Sequence, residues 1–186
     1  MTDRTAVAVL SVLGIARKVL SWSREVHNSM SPDGGLSISV LGPLAVTVGG
    51  HDVPISGARR RDVLIRLVLN AGGTLESGRL LDAVWEGDAP AGAANSLQAH
   101  IGYLRRRLGG GRLLTEGRAY RLDLHAVSVD SVQFEQEVAA ARTALDESRA
   151  GLAAESLRTA LGRWRGPALI DVVDHSWGQA EIARLT

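Results

Sequence analysis

The sequence predicts an α+β fold in which a small sheet, three helices and a β-hairpin precede an all-α region. Three observations support this prediction. A β-branched stretch near residue 36 alternates between apolar and polar residues, three later stretches have apolar residues at helical spacing, and a glycine-tipped hairpin follows them. Further helical stripes continue to the C-terminus.

Residues 36–48 (LSISVLGPLAVTV) predict the first strands. Gly42-Pro43 interrupts them, and Gly49-Gly50 supplies a turn before residues 53–55 (VPI) resume the extended pattern. These features predict a short antiparallel sheet of two or three strands at the N-terminal side.

Three helices are predicted next, over residues 59–70, 77–85 and 93–108. In the first two, apolar residues recur three and four positions apart, and Gly72-Gly73 and Gly87 follow as stop signals. The run Gly109-Gly110-Gly111 ends the third helix. Residues 112–124 (RLLTEGRAYRLDL) then predict a hairpin turning at Glu116-Gly117. Helix, turn, helix, basic helix and hairpin is the order of a winged helix-turn-helix with a C-terminal β-hairpin wing.

Two further helices are predicted over residues 128–144 and 152–168, and another begins near Trp177. Phe134, Val138 and Ala141 lie on one stripe, as do Leu157 and Leu161 in the next helix. The expected role of these residues is packing.

The third predicted helix has the residues that nucleic-acid recognition requires. Leu97, Ile101, Leu104 and Leu108 form one narrow apolar stripe. The opposite face and its flanks consist of amide, small, aromatic and arginine residues, namely Asn95, Gln98, Ala99, Gly102, Tyr103, Arg105, Arg106 and Arg107. Arginine binds guanine through two hydrogen bonds, amides suit adenine, and small residues allow close approach of the backbone. The alternative is a solvated basic face on an ordinary amphipathic helix.

Residues outside this helix are candidates for holding DNA phosphates. They precede the first helix or lie on the hairpin, and they are Arg59, Arg60, Arg61, Arg112, Thr115, Arg118, Tyr120 and Arg121. The alternative for each arginine is a surface charge that contacts nothing.

The net charge of +1 conceals an uneven distribution. Residues 59–121 contain eleven arginines and six carboxylates, whereas residues 122–186 contain six arginines and ten carboxylates. A basic middle followed by an acidic C-terminal part indicates two domains with different partners.

Several other function classes lack support. The chain has no cysteine, which excludes disulfides, thiolate zinc sites and a cysteine nucleophile, and its five histidines share no ligand spacing. The only lysine, Lys18, lies in no phosphate-binding loop. We therefore expect no enzymatic activity, catalytic residue, metal or cofactor. The apolar run of residues 6–16 is too short to span a membrane, and a basic pair follows it directly, unlike in a signal peptide. Residues 1–35 are predicted to be an extension of unknown role, with Met30 as a natural alternative start.

Residues 36–109 and 112–124 resemble the SARP family, the Streptomyces antibiotic regulatory proteins. Asp130, Phe134, Trp164-Arg165-Gly166, Trp177 and residues 181–185 (EIARL) match the recurring pattern of the family's second domain. The resemblance implies an OmpR-type winged helix over residues 36–125, with the recognition helix at 93–108 and the wing tip at 115–120. It also implies a bacterial transcriptional activator domain over residues 126–186, which in the family is a helical array resembling tetratricopeptide repeats.

The resemblance implies a cytoplasmic activator of secondary-metabolite genes, without membrane contact. Its expected partners are promoter direct repeats in double-stranded DNA, RNA polymerase holoenzyme and further copies of itself on DNA. Family members continue through more helices than this chain, so the helical domain is expected to be partial and to expose apolar side chains. The alternative function is a truncated decoy or interaction protein that competes with a full-length regulator without activating transcription.

Overall fold

The computed structural model describes residues 35–70 and 72–185. The predicted N-terminal extension lies outside the described residues, except for Gly35. The elements are, in chain order, β1 (Leu36–Ser39), β2 (Ala45–Val48), β3 (His51–Asp52), α1 (Ala58–Leu69), β4 (Leu75–Glu76), α2 (Ser77–Trp85), α3 (Ala93–Leu108), β5 (Leu113–Glu116), β6 (Ala119–Leu122), β7 (Val127–Val129), α4 (Asp130–Asp146), α5 (Ala150–Gly162), a 3₁₀ turn (Ile170–Val172) and α6 (Ser176–Leu185).

The first sheet has four strands in the order β3-β2-β1-β7. Strand β2 runs antiparallel to β1, with Leu36 opposite Val48, so the predicted antiparallel pairing is confirmed. The third strand is β3 at His51–Asp52, and the extended segment predicted at residues 53–55 forms no strand. The fourth strand, β7, is parallel to β1 and was not predicted; the prediction of a helix from residue 128 is wrong by two residues. Val127 and Val129 are both buried, because their alternation places them on the covered face beside β1.

The second sheet is the wing, with strand order β4-β6-β5. The predicted hairpin is confirmed: β5 pairs with β6 antiparallel, and Gly117 in the turn has a φ of 62°. The two-residue strand β4 was not predicted, and it places Leu75 opposite Tyr120. This pairing fixes the hairpin to the start of α2.

Helices α1, α2 and α3 enclose the main core with the first sheet and the wing. The predicted stripe of α3 is confirmed, because Leu97, Ile101, Leu104 and Leu108 are each at most 2% exposed. The chain therefore has the predicted α+β winged helix-turn-helix architecture, with the helical region after it.

The helical region begins with α4 and α5, which pack together as a helical hairpin. Small buried residues, Ala141, Ala144 and Ala153, line their contact and allow the two helices to approach closely. Helix α5 ends at Gly162, earlier than the predicted residue 168. The reason is that the following backbone turns away: the Arg165 N–H donates to the Leu41 carbonyl, and Gly166 has a φ of 156° before Pro167. Leu145, Leu152 and Leu161 are 54%, 49% and 66% exposed.

The last segment packs on the winged helix. The Trp177 indole N–H donates to the Ala83 carbonyl of α2 at 2.9 Å, and the Arg66 guanidinium lies 5.4 Å from the centre of the Trp177 ring. Asp62 of α1 is 3% exposed, and its carboxylate lies 3.4 Å from His175 Nε2. Burial raises the pKa of Asp62 above its ordinary value, against the opposing effect of His175 and the neighbouring arginines.

Candidate nucleic-acid interface

Helix α3 presents one anchored face and one open face. It starts after Gly92, whose φ of 92° suits glycine, and ends at Gly109, whose φ is 89°. Opposite the buried stripe, Asn95, Gln98 and Ala99 are exposed, and Gly102 is half-buried. The amide side chains of Asn95 and Gln98 are the groups that pair with adenine in a major groove.

The three consecutive arginines of α3 have three different environments. Arg105 Nε donates to the Leu113 carbonyl at 2.9 Å, and its Nη2 donates to Thr115 Oγ1 at 2.5 Å, so its guanidinium joins α3 to the wing. Arg107 Nη2 donates to the Pro54 carbonyl at 2.9 Å, in the loop before α1. Arg106 is exposed and makes no hydrogen bond or ion pair with any residue that the structure describes. It is the member of the triplet whose guanidinium is available to a ligand.

Tyr103 connects α3 with the start of α1. Its hydroxyl accepts a hydrogen bond from the Ser56 N–H at 3.3 Å, and this donor lowers the pKa of Tyr103. The Arg60 guanidinium lies 4.1 Å from the centre of the Tyr103 ring, and Arg60 Nη1 donates to the Ser56 carbonyl. This cation–π pair leaves a positive charge at the rim of the open face.

Arg59 packs against the end of α2. Its guanidinium donates to the Val84 carbonyl and lies 5.7 Å from the centre of the Trp85 ring. Trp85 in turn stacks on His100 of α3, with ring centres 6.3 Å apart. Partial burial, together with the charges of Arg60 and Arg59, lowers the pKa of His100. Burial and the two arginine charges therefore favour a neutral imidazole at His100.

Arg61 lies on a different side of α1 from its two neighbours. Its Nε is 3.4 Å from Asp171 of the 3₁₀ turn, and the Asp171 carboxylate also accepts the Leu44 N–H at 2.7 Å. The structure thus directs this predicted phosphate anchor towards the helical region and joins it to a carboxylate there.

Few polar side chains of the wing lack a hydrogen-bond or ion-pair partner among the described residues. Thr115 and Arg118 are exposed, and Arg118 makes no side-chain hydrogen bond or ion pair within residues 35–70 and 72–185. Arg112 donates to the Leu108 carbonyl, and Tyr120 is half-buried against the core. Arg121 lies 2.7 Å from Glu116 and lowers the pKa of that carboxyl. Arg118 is therefore the wing residue with an available charge.

Sequence reasoning missed three groups that shape this surface. The Pro54 carbonyl and the Ser56 backbone are acceptors and donors that no side-chain pattern reveals. Ser77 donates through its backbone N–H and its hydroxyl to the Arg118 carbonyl, so the start of α2 fixes the wing turn. A serine at a helix start is a recognisable cap signal, but its partner 41 residues away is not.

Two family models match the chain. Residues 53–122 match the model described as "Transcriptional regulatory protein, C terminal", and residues 129–186 match "Bacterial transcriptional activator domain". Among curated proteins, the transcriptional regulatory protein EmbR of Mycobacterium tuberculosis is 34% identical over 145 residues, which is 75% of this chain and 37% of EmbR. Regulatory protein DnrI of Streptomyces peucetius is 32% identical over 161 residues, covering 81% of this chain and 59% of DnrI. Transcriptional regulator RedD of Streptomyces coelicolor is 32% identical over 148 residues, covering 74% and 41%.

This chain belongs to the SARP family. The matched pair of domains, in this order, decides the assignment together with the DnrI and RedD relatives. A solved structure of Mycobacterium tuberculosis EmbR in complex with a low-affinity phosphopeptide superposes with a TM-score of 0.76 at 31% identity, over 82% of this chain and 42% of that one. The SARP chain spans between about a third and three fifths of the length of these relatives.

Within the residues that the structure describes, no helix combines the length and the apolar composition needed to cross a membrane. The same residues hold no group of three or more potential ligand side chains suited to a metal ion.

Proposed function

We propose that the chain is a sequence-specific DNA-binding transcriptional regulator that inserts α3 into the major groove. The observation that carries the proposal is the open face of α3, where Asn95, Gln98 and Arg106 are exposed while the opposite stripe is fixed in the core. A helix held rigidly on one side and bearing amide and guanidinium groups on the other is suited to reading base edges.

The proposal assigns separate roles to Arg106 and Arg118. Arg106, on the helix, contacts a base edge, and Arg118, at the wing tip, contacts phosphate. The sequence also predicts DNA contacts for Asn95, Gln98, Ala99, Gly102, Tyr103, Arg105 and Arg107 on α3, for Arg59 and Arg60 at the start of α1, and for Arg112, Thr115 and Tyr120 on the wing. The predicted contact of Arg61 is not retained in the proposal, because its guanidinium faces Asp171. Residues 36–125 would form the DNA-binding domain and residues 126–186 the helical activator domain.

A binding experiment tests these roles. Duplexes are selected from a randomised 30-bp pool by the unmodified chain, and fluorescence anisotropy then compares the selected duplex with a scrambled one over a salt series. We expect Arg106→Ala to reduce the preference for the selected duplex by about 1–3 kcal/mol. Arg118→Ala should weaken both duplexes alike and lower the salt slope by about 0.9. Arg158→Ala, an exposed arginine on α5, is the control and should change neither.

Failure to prefer any duplex over its scrambled version, at every salt concentration, would refute the proposal. If Arg106→Ala and Arg118→Ala both reduce only salt-dependent affinity, the assignment of base contacts to the open face of α3 is wrong. The salt series is essential, because phosphate contacts alone give binding that is strong at low salt and indifferent to sequence.

The relatives support a more detailed proposal, in which the chain activates secondary-metabolite genes in the cytoplasm by binding promoter direct repeats and contacting RNA polymerase holoenzyme. Protomers arranged head to tail on one DNA face would place the repeats about 10–10.5 bp apart, or multiples of that distance. In vitro transcription with the holoenzyme tests this. Activation that depends on both repeats supports it, whereas binding that leaves transcription unchanged or lowered favours the non-activating competitor.

A further inference from the structure

Arg105 joins α3 to the wing, the two elements that contact DNA in the proposed complex. It projects from the last turn of α3 and donates to two acceptors on β5, the Leu113 carbonyl and the Thr115 hydroxyl. The guanidinium is planar and its N–H groups have fixed directions, so two simultaneous bonds determine both its distance and its orientation.

The position of β5 in the wing explains why such a connection matters. In the order β4-β6-β5, β5 is an edge strand, and β6 lies on its inner side. An edge strand has backbone groups that the ladder does not use. Arg105 Nε binds one of them, the Leu113 carbonyl. The inner strand β6 and the wing turn are fixed separately, since Leu75 of β4 pairs with Tyr120 and Ser77 binds the Arg118 carbonyl.

We infer that Arg105 is a positioning residue that sets the wing against the recognition helix, and that it is not itself a DNA anchor. The inference deepens the proposed function and rests on it. With Arg105 in place, a base contact by Arg106 and a phosphate contact by Arg118 are made by one rigid surface. Without it, the edge strand β5 loses its bonds to α3, and this edge of the wing must be ordered when DNA binds, which lowers affinity.

The alternative role is a direct phosphate contact, and a charge-preserving substitution separates the two. Arg105→Lys keeps the positive charge but replaces the planar fork with a single ammonium group, which cannot reproduce both wing bonds. A phosphate anchor would tolerate lysine. A residue that positions the wing would not.

The DNA arm of the test uses the 30-bp duplex selected by the unmodified chain. We expect Arg105→Lys and Arg105→Ala to lose similar affinity, about tenfold each, which corresponds to about 1.4 kcal/mol. Thr115→Val, which removes the hydroxyl acceptor without changing charge, should lose affinity in the same direction. The Arg105→Ala, Thr115→Val double variant should lose less than the sum of the two single variants, because both interrupt one connection. Arg158→Lys, an exposed arginine of α5 that has no assigned DNA contact, is the control and should stay within about twofold of the unmodified chain.

A second arm measures the wing without DNA. The chain contains no cysteine, so cysteines introduced at Gln98 on α3 and Leu114 on β5 are the only sites for spin labels. Electron–electron double resonance should give one narrow distance distribution in the otherwise unmodified chain and a broader one after Arg105→Ala or Arg105→Lys. Arg106→Ala is the control and should leave the distribution narrow.

The two arms separate the failure of this inference from the failure of the proposed function. If the unmodified chain selects no duplex, the proposed function fails, and the label distances still decide whether Arg105 orders the wing. An unchanged distance distribution in both Arg105 variants would overturn the inference. So would a DNA affinity that Arg105→Lys preserves while Arg105→Ala loses it, because charge alone would then be the role of the residue.

Discussion

The buried Asp130 carboxylate should be one of the most sensitive positions for stability. It begins α4 and is 7% exposed, and its two oxygens accept the Val40 N–H at 2.8 Å and the Leu41 N–H at 3.0 Å. Val40 and Leu41 are at most 1% exposed. The carboxylate therefore satisfies two backbone donors, at the end of β1, that water cannot reach in the folded chain.

The cost of Asp130→Ala follows from these contacts. A hydrogen bond to a charged group contributes about 1.5–3 kcal/mol, so losing two gives a decrease of about 3–6 kcal/mol in the free energy of unfolding. An acidic residue in the first turn of a helix adds about 0.3–1 kcal/mol through the helix dipole. A domain of ordinary stability has about 5–15 kcal/mol in total, so this variant should be close to unfolding.

Urea denaturation followed by tryptophan fluorescence measures the effect. Asp130→Asn keeps one acceptor oxygen for the two N–H groups, so its loss should be about half that of the alanine variant. It also remains informative if Asp130→Ala does not fold. Asp174→Ala, which removes an exposed carboxylate, should stay within about 0.5 kcal/mol of the unmodified chain. A loss below about 1 kcal/mol for Asp130→Ala would refute the reasoning, because the two N–H groups would then have found other partners.

Three further predictions concern pH and packing. Because the pKa of Asp62 is raised in the folded chain, its contribution to the free energy of unfolding should be lost as the pH rises above about 4. Urea denaturation at a series of pH values should show a smaller pH dependence of that free energy in Asp62→Asn. Because the pKa of His100 is lowered, stability should fall as the pH drops below about 6.5, and His100→Gln should lack that decline; an equal decline in the variant would contradict the assignment. A Cβ at Gly178 would overlap the Val172 carbonyl oxygen, so Gly178→Ala should cost about 1–3 kcal/mol in thermal or urea unfolding, whereas Gly151→Ala, with open space around it, should not destabilise the chain.

Local sequence signals predicted α3 well. Glycines flank α3 at both ends, and its four-residue apolar stripe has a strict helical spacing, so the boundaries 93–108 and the buried face both agree with the structure. The wing hairpin was predicted for the same reason, because the turn at Gly117 and the alternation around it lie within a dozen residues. Both elements are determined by neighbours in the sequence.

Contacts between distant residues were not predictable in the same way. Strand β7 has three residues, and only the approach of β1, about 90 residues earlier, makes it a strand. Strand β4 has two residues and depends on β6. In the site, Arg61 joins Asp171, which is distant in sequence and lies in a region predicted to be separate. The residue type shows whether a group is charged or β-branched, but only the tertiary fold determines which partner it contacts.

A charge count gives the number of arginines in the winged helix but not which of them are bound within the structure. Several of them are bound within the structure, but the type of acceptor determines what remains of their charge. Arg105 and Arg107 donate to backbone carbonyls and a hydroxyl, which have no net charge, so their positive charge still contributes to the field around α3. Arg61 and Arg121 face carboxylates and are largely neutralised at a distance.

The excess of arginine in residues 59–121 therefore has a long-range effect through the electric field and a short-range effect through direct contacts. Through the long-range field, every arginine bound only to neutral groups still attracts a polyanion such as DNA. At contact distance, a side chain that the fold leaves without a partner can bind a base or phosphate with all of its donors, whereas Arg105 and Arg107 already use some of theirs within the structure. Among the described residues of α3 and the wing tip, Arg106 and Arg118 meet that condition. The field can thus be estimated from composition, whereas the contacts can be assigned only after the internal partners are known.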